Sequence, residues 1–259
     1  MTSRLPLSAL VVSCNEGDQL ARCLPTIAFC DEIIVVDLES TDETVEVASA
    51  AGARVLRRRR VDSVERARFD AISEARHDWL LYTDPDEEVP LALAAEVTAL
   101  LPQIDDDVAL VYGPIQYHFG GRPLRGTVWG GPHWRRFLVR RDAVEITPII
   151  YSGTILKHGY RALELPFSAE TAIAHHWVSG YRELIAKHRR YVRVAAEDRA
   201  RAGETTGWRA VAGAPWRAFH ESMVAKRGYR DGVAGLLLSL FWAWHSTRSE
   251  LALKRRLGN

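Results

Sequence analysis

Trp79-Leu80-Leu81-Tyr82-Thr83-Asp84-Pro85-Asp86-Glu87-Glu88 is an apolar run of strand length that ends abruptly in four carboxylates. Carboxylates so close together repel one another unless a cation stands between them. Magnesium and manganese are hard ions that prefer oxygen and keep several waters. One or two of these carboxylates, with the phosphates of a substrate, would suffice to hold one. Asp84 and Asp86 are therefore candidate metal ligands at the carboxyl end of a strand, the edge where ligands collect in open α/β sheets. An acidic turn leading into a helix would give the same pattern, with Glu87 and Glu88 complementing the helix dipole before Pro90.

The flanking sequence has a repeating plan. Leu7 to Ser13 reads as a buried strand, Cys14-Asn15-Glu16-Gly17 as the turn after it, and Asp18 to Thr26 as a helix with apolar Leu20, Cys23, Leu24 and Ile27 in its register. Glu32 to Asp37 is a second β-branched run ending in a carboxylate. Ser40-Thr41-Asp42-Glu43 has the form of a helix start, a hydroxyl cap with acids in the first turn. The helix continues from Val45 to Ala51, and Gly52 stops it. Arg54-Val55-Leu56 is a third strand, Val64 to Ala75 a helix, and Trp79 to Thr83 the fourth strand. Strands alternating with helices at this spacing predict an α/β domain with a parallel sheet and crossover helices.

Three motifs, each at the end of a strand, carry a resemblance: Ser13-Cys14-Asn15-Glu16, Val35-Val36-Asp37-Leu38-Glu39-Ser40-Thr41-Asp42-Glu43-Thr44 and Asp84-Pro85-Asp86-Glu87. In this order they resemble family 2 of the inverting glycosyltransferases, most closely the branch of bacterial lipopolysaccharide-core glucosyltransferases. The likeness covers about the first hundred residues and resumes at Lys226-Arg227-Gly228-Tyr229-Arg230-Asp231-Gly232. It implies the GT-A fold, a Rossmann-like nucleotide-binding sheet, here with a C-terminal helical extension. The corresponding division is a donor half over 1–103, an acceptor half over 104–178 and a helical region over 179–259.

The resemblance also implies roles. Ser13, Asn15 and Glu16 lie in the donor turn, Asp37 matches the carboxylate that bonds the nucleotide base, and Arg68 matches a basic residue on the donor side. Asp84 and Asp86 match the DxD pair that holds manganese or magnesium on the diphosphate of a nucleotide sugar, usually UDP-linked. The acceptor would offer a hydroxyl on a lipid-linked or lipopolysaccharide-type saccharide, a small secondary metabolite or a peptide.

The chain also departs from the family pattern. Leu38-Glu39 replaces a small Ser-Gly pair, Phe69 replaces a common Asn, and Ser152-Gly153 stands where a His-Glu pair is often found. His133 occupies the place of the usual Asp before the arginine-rich run Arg135 to Arg141. An imidazole suits a general base near neutral pH, so His133 is the first candidate to take the acceptor proton, with Glu87 and Glu164 behind it. Two other classes compete. A nucleotidyltransferase would need a glycine-rich basic loop after the first strand, which Cys14-Asn15-Glu16-Gly17 does not supply. A catalytically lapsed nucleotide-sugar-binding protein would keep the donor motifs and lose the chemistry.

The composition fits an enzyme of this kind. A chain of 259 residues with net charge +1 suits one α/β core with an appendage and gives no nucleic-acid signature. Its arginine runs at Arg57 to Arg60 and Arg135 to Arg141 read as solvated faces or as contacts for a phosphorylated or lipid partner. Cys14, Cys23 and Cys30 have no zinc spacing and read as reduced thiols of a cytoplasmic protein. Met1 to Pro6 lacks the apolar region of a signal peptide.

The second half predicts strands at Val108 to Tyr112 and Ile115 to Phe119, broken by Gly113-Pro114. Gly120 to Pro132 reads either as a hairpin connection or as a flap with Trp129 as a sugar platform. His175 and His176, adjacent on a strand, should face opposite ways and so make no metal pair. A helix over Tyr181 to Arg201 carries His188, Arg189, Arg190 and Arg193 on its polar side. Further helices are expected from Pro215 to Lys226 and from Arg230 to Lys254.

The apolar run Gly232 to Trp244 would be roughly 20 Å long as a helix, against a hydrocarbon core of about 30 Å, so it does not span a bilayer. It suits a helix lying on the inner membrane face, with Leu237, Phe241 and Trp244 in lipid and Lys226, Arg227, Arg230, Arg248, Lys254, Arg255 and Arg256 at its ends. A core helix packed on the sheet would be equally apolar.

Overall fold

A computed structural model describes residues 4–61, 64–146 and 154–258. In chain order the elements are β1 (Leu5–Ser13), α1 (Gly17–Thr26), β2 (Cys30–Asp37), α2 (Thr44–Ala50), β3 (Arg54–Arg57), α3 (Val64–Ala71), β4 (Trp79–Thr83), β5 (Glu87–Glu88), α4 (Leu91–Leu100) and β6 (Val108–Phe119). There follow β7 (Arg122–Pro123), β8 (His133–Arg140), β9 (Val144–Ile146), β10 (Thr154–Leu156), β11 (Arg161–Glu164), β12 (Ile173–Val178), α5 (Tyr181–Arg201), α6 (Trp208–His220) and α7 (Gly232–Arg256). The chain forms two compact units, one of residues 1–115 and 132–175, the other of 116–131 and 176–259. Ser152-Gly153 lies outside the described residues.

The first unit is built on the expected parallel sheet. Strands β3, β2, β1 and β4 lie side by side in parallel, and β8 joins β4 antiparallel. Leu7, Ala9, Leu10 and Val11 of β1 are buried whichever way they point, as in a parallel strand covered on both faces. Leu10, Val12, Ile34, Val36, Leu80 and Tyr82 pack into one cluster with Ala67, Ala71 and Ile72. This stacking places the ends of β1, β2 and β4, and the three motifs that follow them, along one edge of the sheet.

Three local expectations are corrected. The run over 108–119 is a single twelve-residue strand. Gly113 does not break it, because the ring of Phe137 lies where a Cβ would be, 2.9 Å away, so the glycine is a packing requirement. Helix α2 begins at Thr44 without a hydroxyl cap from Ser40, whose side chain accepts the Asn15 N–H instead. Glu87 and Glu88 do not enter a helical first turn. They form β5, antiparallel to β12.

In the second unit Leu124, Trp177, Leu184, Leu238 and Phe241 form a core, with Trp129 and Trp244 packed on it. The loop after β7 is tied down by Asp231, whose two carboxylate oxygens accept the N–H groups of Arg125 and Gly126, both at 2.8 Å. A Cβ on Gly126 would meet the carbonyl of Arg227 at 2.2 Å, so only glycine fits there. The Trp129 ring packs among Trp177, Trp242 and Phe241. It is half-buried, packed on the wall of that core. Helix α6 starts at Trp208, seven residues before the expected Pro215, and a wide turn over Glu221–Ala225 follows it. His188 is buried between Trp177, Phe241 and His245 and is not on the polar side of α5. The side chains of Arg190 and Arg193 lie outside the described residues.

Candidate active site

The turns after β1 and β2 interlock. Asn15 adopts the left-handed conformation, with φ 57°, which asparagine tolerates better than most residues. Its Oδ1 accepts the Thr41 N–H at 2.7 Å, and its own N–H donates to Ser40 Oγ at 2.9 Å. Glu16 accepts from the Ser13 hydroxyl at 3.3 Å and the Cys14 N–H at 3.2 Å, and its N–H donates to Thr44 Oγ1. The Gly17 N–H donates to Asp42 Oδ2 at 3.1 Å. The Thr44 hydroxyl holds the Asp42 carboxyl below its ordinary range, helped by the Gly17 and Thr44 N–H groups and opposed by burial. Asp37 ends β2 opposite Ser13, is buried, and accepts the Ser40 N–H at 3.2 Å.

The unusual pair Leu38-Glu39 fits this turn in two different ways. Leu38 is buried in the sheet core. Glu39 stands in the left-handed region, φ 56°, where a glycine costs nothing, and its carboxylate accepts the Arg60 N–H at 3.3 Å. Glu39→Gly is therefore expected to hold or raise stability, by up to about 1 kcal/mol, because relief of left-handed strain outweighs the added freedom of the unfolded chain. A melting curve checks this, and a clear loss of stability would show that the Arg60 contact matters more than the strain.

The acidic segment after β4 is a bonded turn. Glu87 accepts the Thr83 hydroxyl and the Asp84 N–H on one oxygen, both at 3.0 Å, and pairs with the Arg135 guanidinium through the other. Asp84 accepts from Arg68 at 2.7 Å and lies 3.5 Å from Arg135. Arg68 in turn stacks over the Tyr82 ring. Asp86 faces His175, with Nε2 3.3 Å from Oδ1, and the other ring nitrogen of His175 is 3.8 Å from Glu87. Burial alone would push the Asp84 carboxyl up, but Arg135 and Arg68, with a smaller contribution from His175, hold it far below the usual carboxylate range. Burial pushes the nearby Cys23 thiol up to about 12, so it is an inert core group.

Most of the expected donor residues thus meet along one sheet edge. Arg68, Asp84 and Asp86 share one charged cluster, while Ser13, Asn15, Glu16 and Asp37 form the adjoining double turn. Glu87 belongs to the cluster as the group that shapes the turn, its two oxygens engaged by Thr83, Asp84 and Arg135, which leaves it poorly suited to act as a base. Glu164 is exposed at the end of β11, opposite Tyr112. His133 begins β8 opposite Ile115 and, two residues before Arg135, shares its face of the strand.

Arg135 and His175 were not singled out by the sequence. A signal for Arg135 was present: an arginine in step with buried Phe137 and Val139 needs a carboxylate partner. Other arginines of that run are also engaged, Arg140 by Asp142 and Arg141 by Asp78, so the run is no free basic face. His175 and His176 do face apart: His175 turns to Asp86, and His176 stacks on His118 at 4.9 Å.

Among the described residues no group of three or more His, Cys, Asp and Glu is arranged to hold a metal ion. Asp84 and Asp86 still fit one of the magnesium type. Such ions take one or two carboxylates from the protein and complete their octahedron with water and substrate phosphate.

Comparison with known proteins places these features in a family. The model of glycosyl transferase family 2 matches residues 8–160. An uncharacterized glycosyltransferase of Rickettsia felis is 36% identical over 107 residues, which cover 41% of this chain and 38% of that protein. The lipopolysaccharide core biosynthesis glycosyltransferase LpsC of Rhizobium meliloti is 30% identical over 113 residues, 42% of each chain. The chain thus spans about two fifths of the length of these curated relatives. Among solved structures, the mannosyltransferase PcManGT from Pyrobaculum calidifontis, in complex with GDP-Man and Mn2+, superposes with a TM-score of 0.61 over 97% of this chain and 88% of its own. At 15% identity that likeness is one of fold, the GT-A arrangement.

Proposed function

The chain belongs to glycosyl transferase family 2, and from that premise we propose that it moves a sugar, with inversion, from a UDP-linked donor to a hydroxyl of a saccharide acceptor. The observation that carries this reading is the cluster at the end of β4, where Asp84 and Asp86 stand among Arg68, Arg135 and His175 beside the double turn that holds Asp37. Asp37 would bind the base, and Asp84 and Asp86 would hold manganese or magnesium. The metal would offset the charge gathering on the leaving diphosphate. Arg68 and Arg135 fix Asp84 in its ionised form before any donor arrives, so little reorganisation is needed when charge develops. The name of LpsC favours an acceptor of the lipopolysaccharide-core type over a small metabolite or a peptide.

The direct test is thermal stabilisation by a panel of nucleotide sugars with and without manganese. GDP-mannose belongs in the panel, because the mannosyltransferase of like fold is in complex with it. A ligand at a hundred times its Kd stabilises the native state by about 2.7 kcal/mol. UDP-sugars should do so only with the metal, and a panel with no metal-dependent ligand would overturn the reading.

Within it, His133 is the proposed base. His133→Gln is expected to lower turnover by about a hundredfold with donor affinity unchanged, and to remove the acidic limb of the pH–rate profile. A variant with near-normal turnover would remove His133 from the mechanism.

A further inference from the structure

Helix α7 divides the residues of its apolar run between two faces. Leu238 and Phe241 are buried in the second unit's core, 0% and 8% exposed. Val233, Leu236, Leu237 and Leu240 are exposed, Val233 by 74% and Leu240 by 50%. At 100° per residue these four fall within an arc of about 100°, an unbroken apolar stripe along the first two turns. Tyr229 and Val224, just before the helix, are exposed as well. Of the residues expected to enter lipid, Leu237 lies on this stripe, whereas Phe241 and Trp244 belong to the core.

Charge is arranged to match. Lys226, Arg227 and Arg230 are exposed on the turn that leads into the stripe. The carboxylates of the same segment are hydrogen-bonded within the protein: Asp231 accepts the backbone of the loop after β7, and Glu221, itself exposed, accepts the Trp242 indole N–H at 3.2 Å. Two of the cations at the far end of α7 are engaged within the protein instead, while Arg248 and Arg255 are exposed. Lys254 is buried over the Trp208 ring and Arg256 faces Glu197 at 3.7 Å. One end of the helix is therefore both apolar and cationic, and no helix of the described residues is long and apolar enough to cross a membrane.

We infer that the start of α7, with the turn over Lys226 to Arg230, is a docking face for an anionic lipid surface, the apolar stripe entering the headgroup boundary and the three cations contacting lipid charge. A second copy of the chain would cover the stripe but would bring three cations of its own against these three. The inference concerns this helix alone and does not depend on sugar transfer.

The test is co-sedimentation of the full chain with phosphatidylcholine vesicles, with and without phosphatidylglycerol. The protein should pellet with the anionic vesicles only, and raised salt should release it. Leu236→Ser with Leu237→Ser should lower vesicle affinity by about tenfold or more at an unchanged melting temperature. Lys226→Gln with Arg230→Gln should lower it by about fivefold per cation. Leu91→Ser, which removes an exposed leucine of α4, should change nothing, and Phe241→Ser should unfold the second unit. Failure of the intact protein to bind anionic vesicles would overturn the inference. So would salt-insensitive binding, or a dimer that the stripe substitutions convert to monomer while vesicles are ignored.

Discussion

Asp86→Asn is expected to lower sugar transfer by about three orders of magnitude and to abolish the manganese-dependent part of nucleotide binding, while the melting temperature stays where it was. The loss reflects several kcal/mol of charge stabilisation on the leaving diphosphate that a neutral amide cannot anchor. Asp86 is the right place to test it because of what surrounds each carboxylate. Asp84 is paired with Arg68 and Arg135, so its removal leaves two half-buried guanidinium groups undercompensated and confuses ligand loss with misfolding. Asp86 faces His175, with Nε2 3.3 Å from Oδ1, and the amide keeps the shape of the carboxylate. Binding of the metal-free nucleoside, which Asp37 should govern, ought to persist in the variant. Equal UDP affinity for the wild type and Asp86→Asn in manganese would remove Asp86 from the metal site.

The sheet edge that carries the candidate donor residues was readable in the sequence because its physics is local. A parallel strand buried on both faces announces itself as a run such as Leu10-Val11-Val12, and the carboxylate or turn that ends it is the next few residues. Arg135 and His175 were not readable as site residues for the opposite reason. Each gains its role from Asp84 to Glu87, 40 residues or more away along the chain, through strand pairings that no short pattern encodes. Gly113-Pro114 misled because glycine and proline usually punctuate strands, whereas here the glycine makes room for the Phe137 ring. The apolar run in α7 offered two readings, core or lipid, and composition could not choose. Only the packing of Leu238 and Phe241 against Leu184 and Trp177 shows that the helix spends one face on the core and leaves the other outside.

Arg135→Met should be the most damaging single change to the stability of the first unit, by about 3–5 kcal/mol, because it strands a buried carboxylate. Glu87 is 1% exposed, and its second oxygen has the Arg135 guanidinium as its ion-pair partner. The Thr83 and Asp84 bonds satisfy the other oxygen but cannot offset the whole charge. Adding Glu87→Gln should recover part of the loss, since removing both charges is far less costly than removing one. If the double variant is no more stable than Arg135→Met, the guanidinium matters for packing and not for charge.

Acid should report the same network. The folded-state pKa of Asp84 lies below its ordinary 3.8, so the stability it lends is complete above that value and is lost as pH falls through the folded pKa. Without Arg135, the largest of the groups opposing burial, that folded pKa rises and the stabilisation should disappear at a higher pH. The acid-unfolding midpoint of Arg135→Met should therefore move up relative to wild type, beyond what its lower stability at neutral pH accounts for. A parallel loss at every pH would mean that Asp84 is held by Arg68 alone. The Arg135 guanidinium could then contact an anionic ligand without changing the charge state of Asp84.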